Sequence, residues 1–230
     1  MKALILAAGM GSRLKYKTKN KPKCLVSFKG KPILEHQLSA LHRNGINQIV
    51  IVVGYKKKKL INYLKRFKKK FFFEIILNNK YKNTDSAFSY FLANKNISNQ
   101  NYIHMNSDII FSKKTLEKII LSKKKNVIAS SRELKLGEKM DLINFTKNFT
   151  IKKFDNKYFS SAQTKIFGLA KFSSSIQKNL FKLIKNDIEK GKRNEKCFSY
   201  FRQIIKKKVV YTKLFSKKDI KETNTLKDFK

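Results

Sequence analysis

The stretch Leu4-Ile5-Leu6-Ala7-Ala8-Gly9-Met10-Gly11-Ser12-Arg13-Leu14 runs an apolar segment straight into a turn of glycines and small residues that ends in a guanidinium. Gly9 and Gly11 let backbone N–H groups come close to a phosphate, and Arg13 offers its oxygens a charged fork. Alone, such a loop also reads as a β-turn carrying a surface arginine. It lacks the Gly-Lys-Ser/Thr ending of a P-loop, and Leu14 stands where a dinucleotide fingerprint needs its third glycine. A second cation, Lys23, follows in Lys21-Pro22-Lys23-Cys24-Leu25-Val26, ahead of Gly30-Lys31-Pro32. Asp108, in Asn106-Ser107-Asp108-Ile109-Ile110-Phe111, places a carboxylate just after an apolar run. Its bland reading is a turn or helix cap.

The elements that must position these groups alternate short apolar runs with amphipathic segments, the pattern of βαβ units and a mainly parallel sheet flanked by helices, a Rossmann-like α/β fold. Ala3 to Ala7 reads as a buried first strand and Gly9 to Lys31 as a long loop. Pro32 opens a helix that puts Leu34, Leu38 and Leu41 on one face and stops at Gly45. Strands are expected at Gln48 to Val53 and Phe72 to Leu77, with a lysine-rich helix between them. Thr84 is expected to cap the next helix, and the run Tyr102 to Met105 places Asp108 beyond the carboxyl end of a strand, where open α/β sheets bind ligands. A helix at Lys114 to Leu121 and a strand at Asn126 to Ser130 follow. Asp141 to Phe154 reads as two strands around a turn at Lys147 and Asn148, and Lys165 to Phe172 as another. Helices at Ser174 to Glu189 and Asn194 to Lys206 and a strand at Val209 to Leu214 precede the tail Glu222 to Phe229. No repeat or linker divides the 230 residues, so a single domain is expected.

The formal net charge of +39 invites a polyanion-binding reading. Lysine is accompanied throughout by Asn, Ile, Phe and Tyr, with no Trp and two Pro, the bias of an A+T-rich coding sequence. Runs such as Lys56 to Lys59 and Lys206 to Lys208 fall at ends or outer faces of elements, as solvated surface does. No zinc ligands, helix-turn-helix or basic-aromatic stacking motif supports specific nucleic-acid binding. Cys24 and Cys197 are far apart and read as reduced thiols. The apolar runs are too short to span a bilayer, and Ala3 to Ala8 is too short for a signal sequence, so a cytoplasmic location without membrane insertion is expected.

The glycine loop and the Pro22-Lys23 pair, taken jointly, resemble the nucleotidyltransferase superfamily that makes nucleoside diphosphate sugars and related activated head groups. Thr18-Lys19-Asn20-Lys21-Pro22-Lys23-Cys24-Leu25-Val26 and Tyr81-Lys82-Asn83-Thr84-Asp85-Ser86-Ala87-Phe88-Ser89 are similar to the branch containing phosphocholine cytidylyltransferases. The resemblance implies a nucleotide-binding half over residues 1–112, an acceptor-binding half over 113–230, and two substrates, a nucleoside triphosphate and a small phosphorylated acceptor. It implies that Leu6, Ala7, Ala8, Gly9, Met10, Gly11 and Ser12 seat the nucleotide, that Asn83, Thr84 and Ser86 line the base pocket, and that Arg13 and Lys23 are the catalytic cations. Arg13 would hold the leaving pyrophosphate and Lys23 would bridge the α-phosphate and the incoming phosphate. Mg²⁺ would be the cofactor, with Asp108 and Asn224 as its ligands.

Two departures from the pattern stand out. Asn224, in Glu222-Thr223-Asn224-Thr225, replaces a carboxylate, which implies a weaker second metal site or a single-metal enzyme. Gln163-Thr164-Lys165-Ile166-Phe167-Gly168 has Thr164 and Lys165 where related strands often begin Gly-Glu. A choline head group would need an aromatic face or a carboxylate, with Tyr158, Phe159 and Glu138 as sources. The expected donor is CTP and the expected acceptor phosphocholine or a related amino-alcohol phosphate. A sugar 1-phosphate acceptor, a basic nucleic-acid binder and an inactive nucleotide-binding regulator are the alternatives.

Overall fold

A computed structural model describes residues 1–132 and 140–229. In chain order, β1 (Lys2–Ala7) leads into a loop with two short 3₁₀ turns, then the minimal hairpin of β2 (Ser27–Phe28) and β3 (Lys31–Pro32). α1 (Ile33–His42), β4 (Gln48–Val53), α2 (Lys57–Leu64), β5 (Phe72–Leu77), α3 (Ser86–Ile97) and β6 (Tyr102–Asn106) follow. The second half adds β7 (Ile109–Phe111), α4 (Lys113–Ile120), β8 (Val127–Ser131), β9 (Leu142–Phe145), β10 (Ile151–Asp155) and β11 (Thr164–Phe172). α5 (Ser174–Glu189), α6 (Phe201–Ile204), β12 (Tyr211–Leu214) and β13 (Ile220–Glu222) complete it.

One mixed sheet joins both halves in the order β10-β9-β11-β6-β1-β4-β5, and β8 pairs with both β11 and β12. The pairs β1–β4, β1–β6 and β4–β5 are parallel, whereas β11 runs antiparallel to β6, β8 and β9. β1 is central and buried on both faces, so its residues alternate between two cores. Ala3, Ile5 and Ala7 pack with Leu34, Leu38 and Leu41 of α1, while Leu4 and Leu6 pack with Ala87, Tyr90 and Ala93 of α3. The two layers pin the register of β1 against β6, and that register sets the depth of the loops beyond both strands.

Two sequence expectations change. Thr84 does not cap α3: the Asp85 side chain accepts from the Ser86 N–H, while Thr84 donates to the Lys80 carbonyl and accepts from Asn78. The helix expected over Asn194 to Lys206 contracts to a 3₁₀ turn at Cys197–Tyr200 followed by α6. Its first residues are held elsewhere, because the Arg193 and Glu195 carbonyls accept from the Asp85 and Ala87 N–H groups at the start of α3. The tail is docked as well: β13 pairs antiparallel with β7, a strand periodicity does not reveal, and Phe229 meets Phe28 edge-on at 6.2 Å.

Candidate active site

At the end of β1 the chain turns through Gly11, whose φ of 66° is left-handed. The turn closes with the Leu14 N–H donating to the Gly11 carbonyl at 2.9 Å, and Leu14 is buried against Val26 and Ile33. Arg13 is left facing the cleft, and the second 3₁₀ turn, Lys23–Leu25, brings Lys23 opposite it. A Cβ on residue 11 would lie 2.9 Å from the Lys23 Cβ, so this glycine lets Lys23 pack directly against the loop. Lys23 Nζ donates to Asp108 Oδ2 at 2.9 Å and to Asn224 Oδ1 at 2.7 Å, and Arg13 Nη2 donates to the same amide oxygen at 3.2 Å. Four residues separated by as much as 211 positions thus meet at one point.

Asp108 is braced through its backbone. Gln37, wholly buried on the core face of α1, donates from Nε2 to the Asn106 and Ile109 carbonyls, each at 2.8 Å, and so clamps the turn from both ends. Thr223, also fully buried, donates its N–H at 2.9 Å and its hydroxyl at 2.8 Å to the Asp108 carbonyl. The Ser107 N–H returns to Leu6 at 3.2 Å, tying the turn to β1. Among the described residues Asp108 Oδ1 is buried without a hydrogen-bond partner. An unsatisfied buried carboxylate oxygen carries a desolvation cost that a cation removes, so Asp108 fits a divalent metal ligand. Among the described residues no group of three or more His, Cys, Asp or Glu gathers, at this cleft or elsewhere.

Glu222 and Lys165 complete this end of the cleft. Lys165 Nζ lies 3.4 Å from Glu222 Oε2, and Asn224 Nδ2 donates to the same oxygen at 3.3 Å. Burial, and then the nearby Asp108 charge, raise the Glu222 carboxyl above the ordinary range, with Lys165 and Lys23 opposing them. Neither Glu222, Lys165 nor Gln37 was singled out as a site residue by the sequence reading. Gln37 left a trace, a lone amide on the apolar face of α1, but its target 69 positions away was not legible.

The cleft, about 680 Å³, continues from this cluster past Leu6, Ala8 and Gly9 to Asn78, Thr84, Ser86 and Ser89. Buried Asn78, another residue the sequence reading passed over, donates to Thr84 Oγ1 and Ser89 Oγ at 3.1 Å each and accepts from the Lys80 N–H at 3.0 Å, which shapes this wall. Ala7 turns its side chain into the core, Met10 and Ser12 line a shallow depression beside Tyr16 and Tyr55, and Asn83 lies outside the cleft lining. Asp85, Asp141 and Lys196 also face the cleft. Burial raises the Asp141 carboxyl, opposed by Lys196 and Arg202, and its Oδ1 is buried and unpartnered among the described residues. Of the residues considered for a choline head group, Tyr158 is largely exposed, Phe159 sits under Lys153, neither lines the cleft, and Glu138 is outside the described residues. Among the described residues no helix is long and apolar enough to cross a membrane.

The Nucleotidyl transferase family profile matches residues 2–217. The chain is 33% identical over 189 residues to the CTP:phosphoglutamine cytidylyltransferase of Campylobacter jejuni, a match covering 75% of this chain and 73% of the relative. It is 41% identical over 99 residues to the choline-phosphate cytidylyltransferase of Streptococcus pneumoniae, which covers only 43% of this chain and 42% of that protein. The fold is shared with the solved CTP:phosphocholine cytidylyltransferase of Streptococcus pneumoniae, at a TM-score of 0.80 and 21% identity over 99% of this chain and 95% of that one. The inositol-1-phosphate CTP transferase of T. maritima gives 0.82 and 18% over 100% and 91%. With the glycine loop, both cations and the strand-end carboxylate in one cleft, and the profile running through nearly all of the sequence, the chain belongs to the nucleotidyl transferase family.

Proposed function

We propose that this chain transfers the cytidylyl group of CTP to a small phosphorylated acceptor bearing a primary ammonium group, releasing pyrophosphate. The convergence of Arg13 and Lys23 on the Asn224 amide oxygen, with Lys23 also on the Asp108 carboxylate, carries the reading, since in-line transfer at phosphorus asks a protein for positioned positive charge. An acceptor phosphate oxygen attacks the α-phosphorus, and the bond from that phosphorus to the bridging oxygen of the β-phosphate breaks. Lys23 neutralises charge where the two phosphates meet, and Arg13 binds the departing pyrophosphate. No general base is required, because the acceptor phosphate is an oxyanion near neutral pH. Mg²⁺ bound at Asp108 would supply further neutralisation of the triphosphate.

CTP as donor is supported by the two cytidylyltransferase relatives. A primary rather than quaternary ammonium is supported by the lining of the cleft. Tyr81 and Phe167 are its only aromatic residues among those described, and Phe167 is buried, so a single partly exposed ring faces the cleft where a trimethylammonium group is best enclosed by several. The Asp85 and Asp141 carboxylates offer hydrogen-bond acceptors instead.

Pyrophosphate release from each of the four nucleoside triphosphates with Mg²⁺ tests this, against phosphoglutamine, phosphoethanolamine, phosphocholine and glucose 1-phosphate. CTP with a primary-amine acceptor is expected to give the highest kcat/KM. Preference for glucose 1-phosphate refutes the acceptor assignment. Absence of turnover with every pair, alongside steeply salt-dependent RNA binding, refutes the transferase.

A further inference from the structure

The end of the sheet away from the cleft collects lysine from segments far apart in sequence. Phe72 pairs with Gln48, Lys2 with Tyr102, Tyr102 with Phe172 and Val127 with Tyr211. With Ala3 beside Ile49 and Lys171 beside Val127, the strands β5, β4, β1, β6, β11, β8 and β12 therefore begin or end on one row. Its six spacings of about 4.8 Å make that row about 29 Å long. Onto it open the segments 68–71, 121–126 and 206–210, which lead into β5, β8 and β12, and the turn 146–150, joined to β12 by the bridge between Thr150 and Tyr211. They carry three triple-lysine runs, at 68–70, 123–125 and 206–208, together with Lys147. None of the four segments contains Asp or Glu, nor do 44–47 and 98–101, which lead into β4 and β6. Glu74, within β5, is already held by Lys2 at 2.6 Å.

A solvated lysine run needs no apolar companion, yet here each has one. Phe72 is 66% exposed beside the lysines at 68–70, Leu121 is 72% exposed beside those at 123–125, and Val209 is 56% exposed beside those at 206–208. Phe149 is exposed beside Lys147. Single exposed hydrophobics are ordinary on a protein surface, but four of them along one basic row match a face that lies on lipid, with ammonium groups among the headgroups and apolar side chains just beneath. Nucleic acid is matched less well, since Leu121 and Val209 offer bases no ring to stack on. We propose that this end of the sheet docks on an anionic bilayer surface, peripherally and without a spanning segment, so that the cleft at the opposite end of the strands faces solution. Each lysine that comes within about 8 Å of such a surface strengthens binding about fivefold.

The chain contains no tryptophan, so a single introduced one reports its own surroundings. Leu121→Trp probes the basic row, and Tyr158→Trp probes an exposed position past the end of β10 that Leu142 and Lys165 put on the cleft side. On vesicles of equal parts phosphatidylcholine and phosphatidylserine, Leu121→Trp emission is expected to shift to the blue and to be quenched by brominated acyl chains, with Tyr158→Trp unmoved and neither changed by pure phosphatidylcholine. In co-sedimentation of the full chain, Lys68→Gln/Lys69→Gln/Lys70→Gln is expected to weaken binding about tenfold or more. Lys56→Gln/Lys58→Gln/Lys59→Gln removes the same charge at the start of α2, which the Tyr55 N–H bond to Ala8 ties to the cleft end, and is expected to leave binding within about twofold. Equal weakening by the two triple variants, quenching of Tyr158→Trp in place of Leu121→Trp, or no binding to anionic vesicles at about 150 mM salt overturns the proposal. Tighter binding to single-stranded RNA than to these vesicles, lost when the lysines at 68–70 are replaced, overturns it in favour of nucleic acid.

Discussion

Gly11→Ala should damage stability and catalysis together, while Gly9→Ala should spare stability, although both glycines lie in the same loop. At position 11 the backbone has φ 66°, where an alanine costs about 1–2 kcal/mol. The added Cβ would also lie 2.9 Å from the Lys23 Cβ and 3.2 Å from the Thr18 Cγ2. The Lys23 Cβ is fixed to its backbone and cannot rotate aside, so the whole turn Lys23–Leu25 must shift, at a further cost of about 1 kcal/mol. A loss of about 2–3 kcal/mol lowers Tm by roughly 4–12 °C in a chain of this size. The same shift withdraws Lys23 from Asp108 and Asn224, and displacements near 1 Å cost about 100-fold in rate. At Gly9 nothing lies within 4 Å of the place an added methyl group would occupy and φ is ordinary, so Tm should move by no more than about 1–2 °C, with any kinetic effect confined to KM for the nucleotide. Thermal melts and initial-rate kinetics on the two variants decide the matter. Equal Tm values for Gly11→Ala and wild type, or matched losses in both variants, would refute the reasoning.

Other consequences can be checked with the same preparations. His104 is buried among Tyr90, Phe172 and Phe198, and that burial pushes its imidazole down to about 4. The unfolded chain takes up its proton first, so as pH falls from about 6.5 to 4 this residue should remove about 3 kcal/mol of stability, and His104→Leu should flatten the acid limb of a Tm–pH profile. An unchanged limb would show that other groups set it. A Cβ on Gly168 would overlap the Asn106 side-chain amide and lie 2.7 Å from the Asn106 Cβ, so Gly168→Ala should force β11 from β6 and lower the denaturant midpoint by an amount equivalent to about 1–3 kcal/mol. A wild-type midpoint would count against that close approach. With a net charge of +39, kcat/KM for anionic substrates should fall as salt rises from about 50 to about 200 mM, whereas a flat profile would mean that the surface lysines do not steer encounter.

The near-continuous apolar runs of β1 and β4 announced a buried parallel sheet because each strand satisfies its pattern locally, in its own side chains. Arg13, Lys23 and Asp108 were expected together because the glycine loop and the Pro22-Lys23 pair, taken jointly, resemble a known family, and each piece of that resemblance is a short local segment. The breaks in α6 and the cap at Asp85 were not, because the carbonyls of Arg193 and Glu195 come from more than 100 residues away to satisfy the start of α3. The clamp by Gln37 escaped for the same reason, as did the pairing of Lys165 with Glu222 across 57 positions. Sequence alone determined which groups were available to handle phosphate, since residue type and short-range spacing set their charge and local geometry. Tertiary structure alone decided that Asn224 faces two cations and a carboxylate instead of solvent, because hydrogen-bond partners are chosen by distance in space, which β11, β13 and the α1 clamp jointly impose.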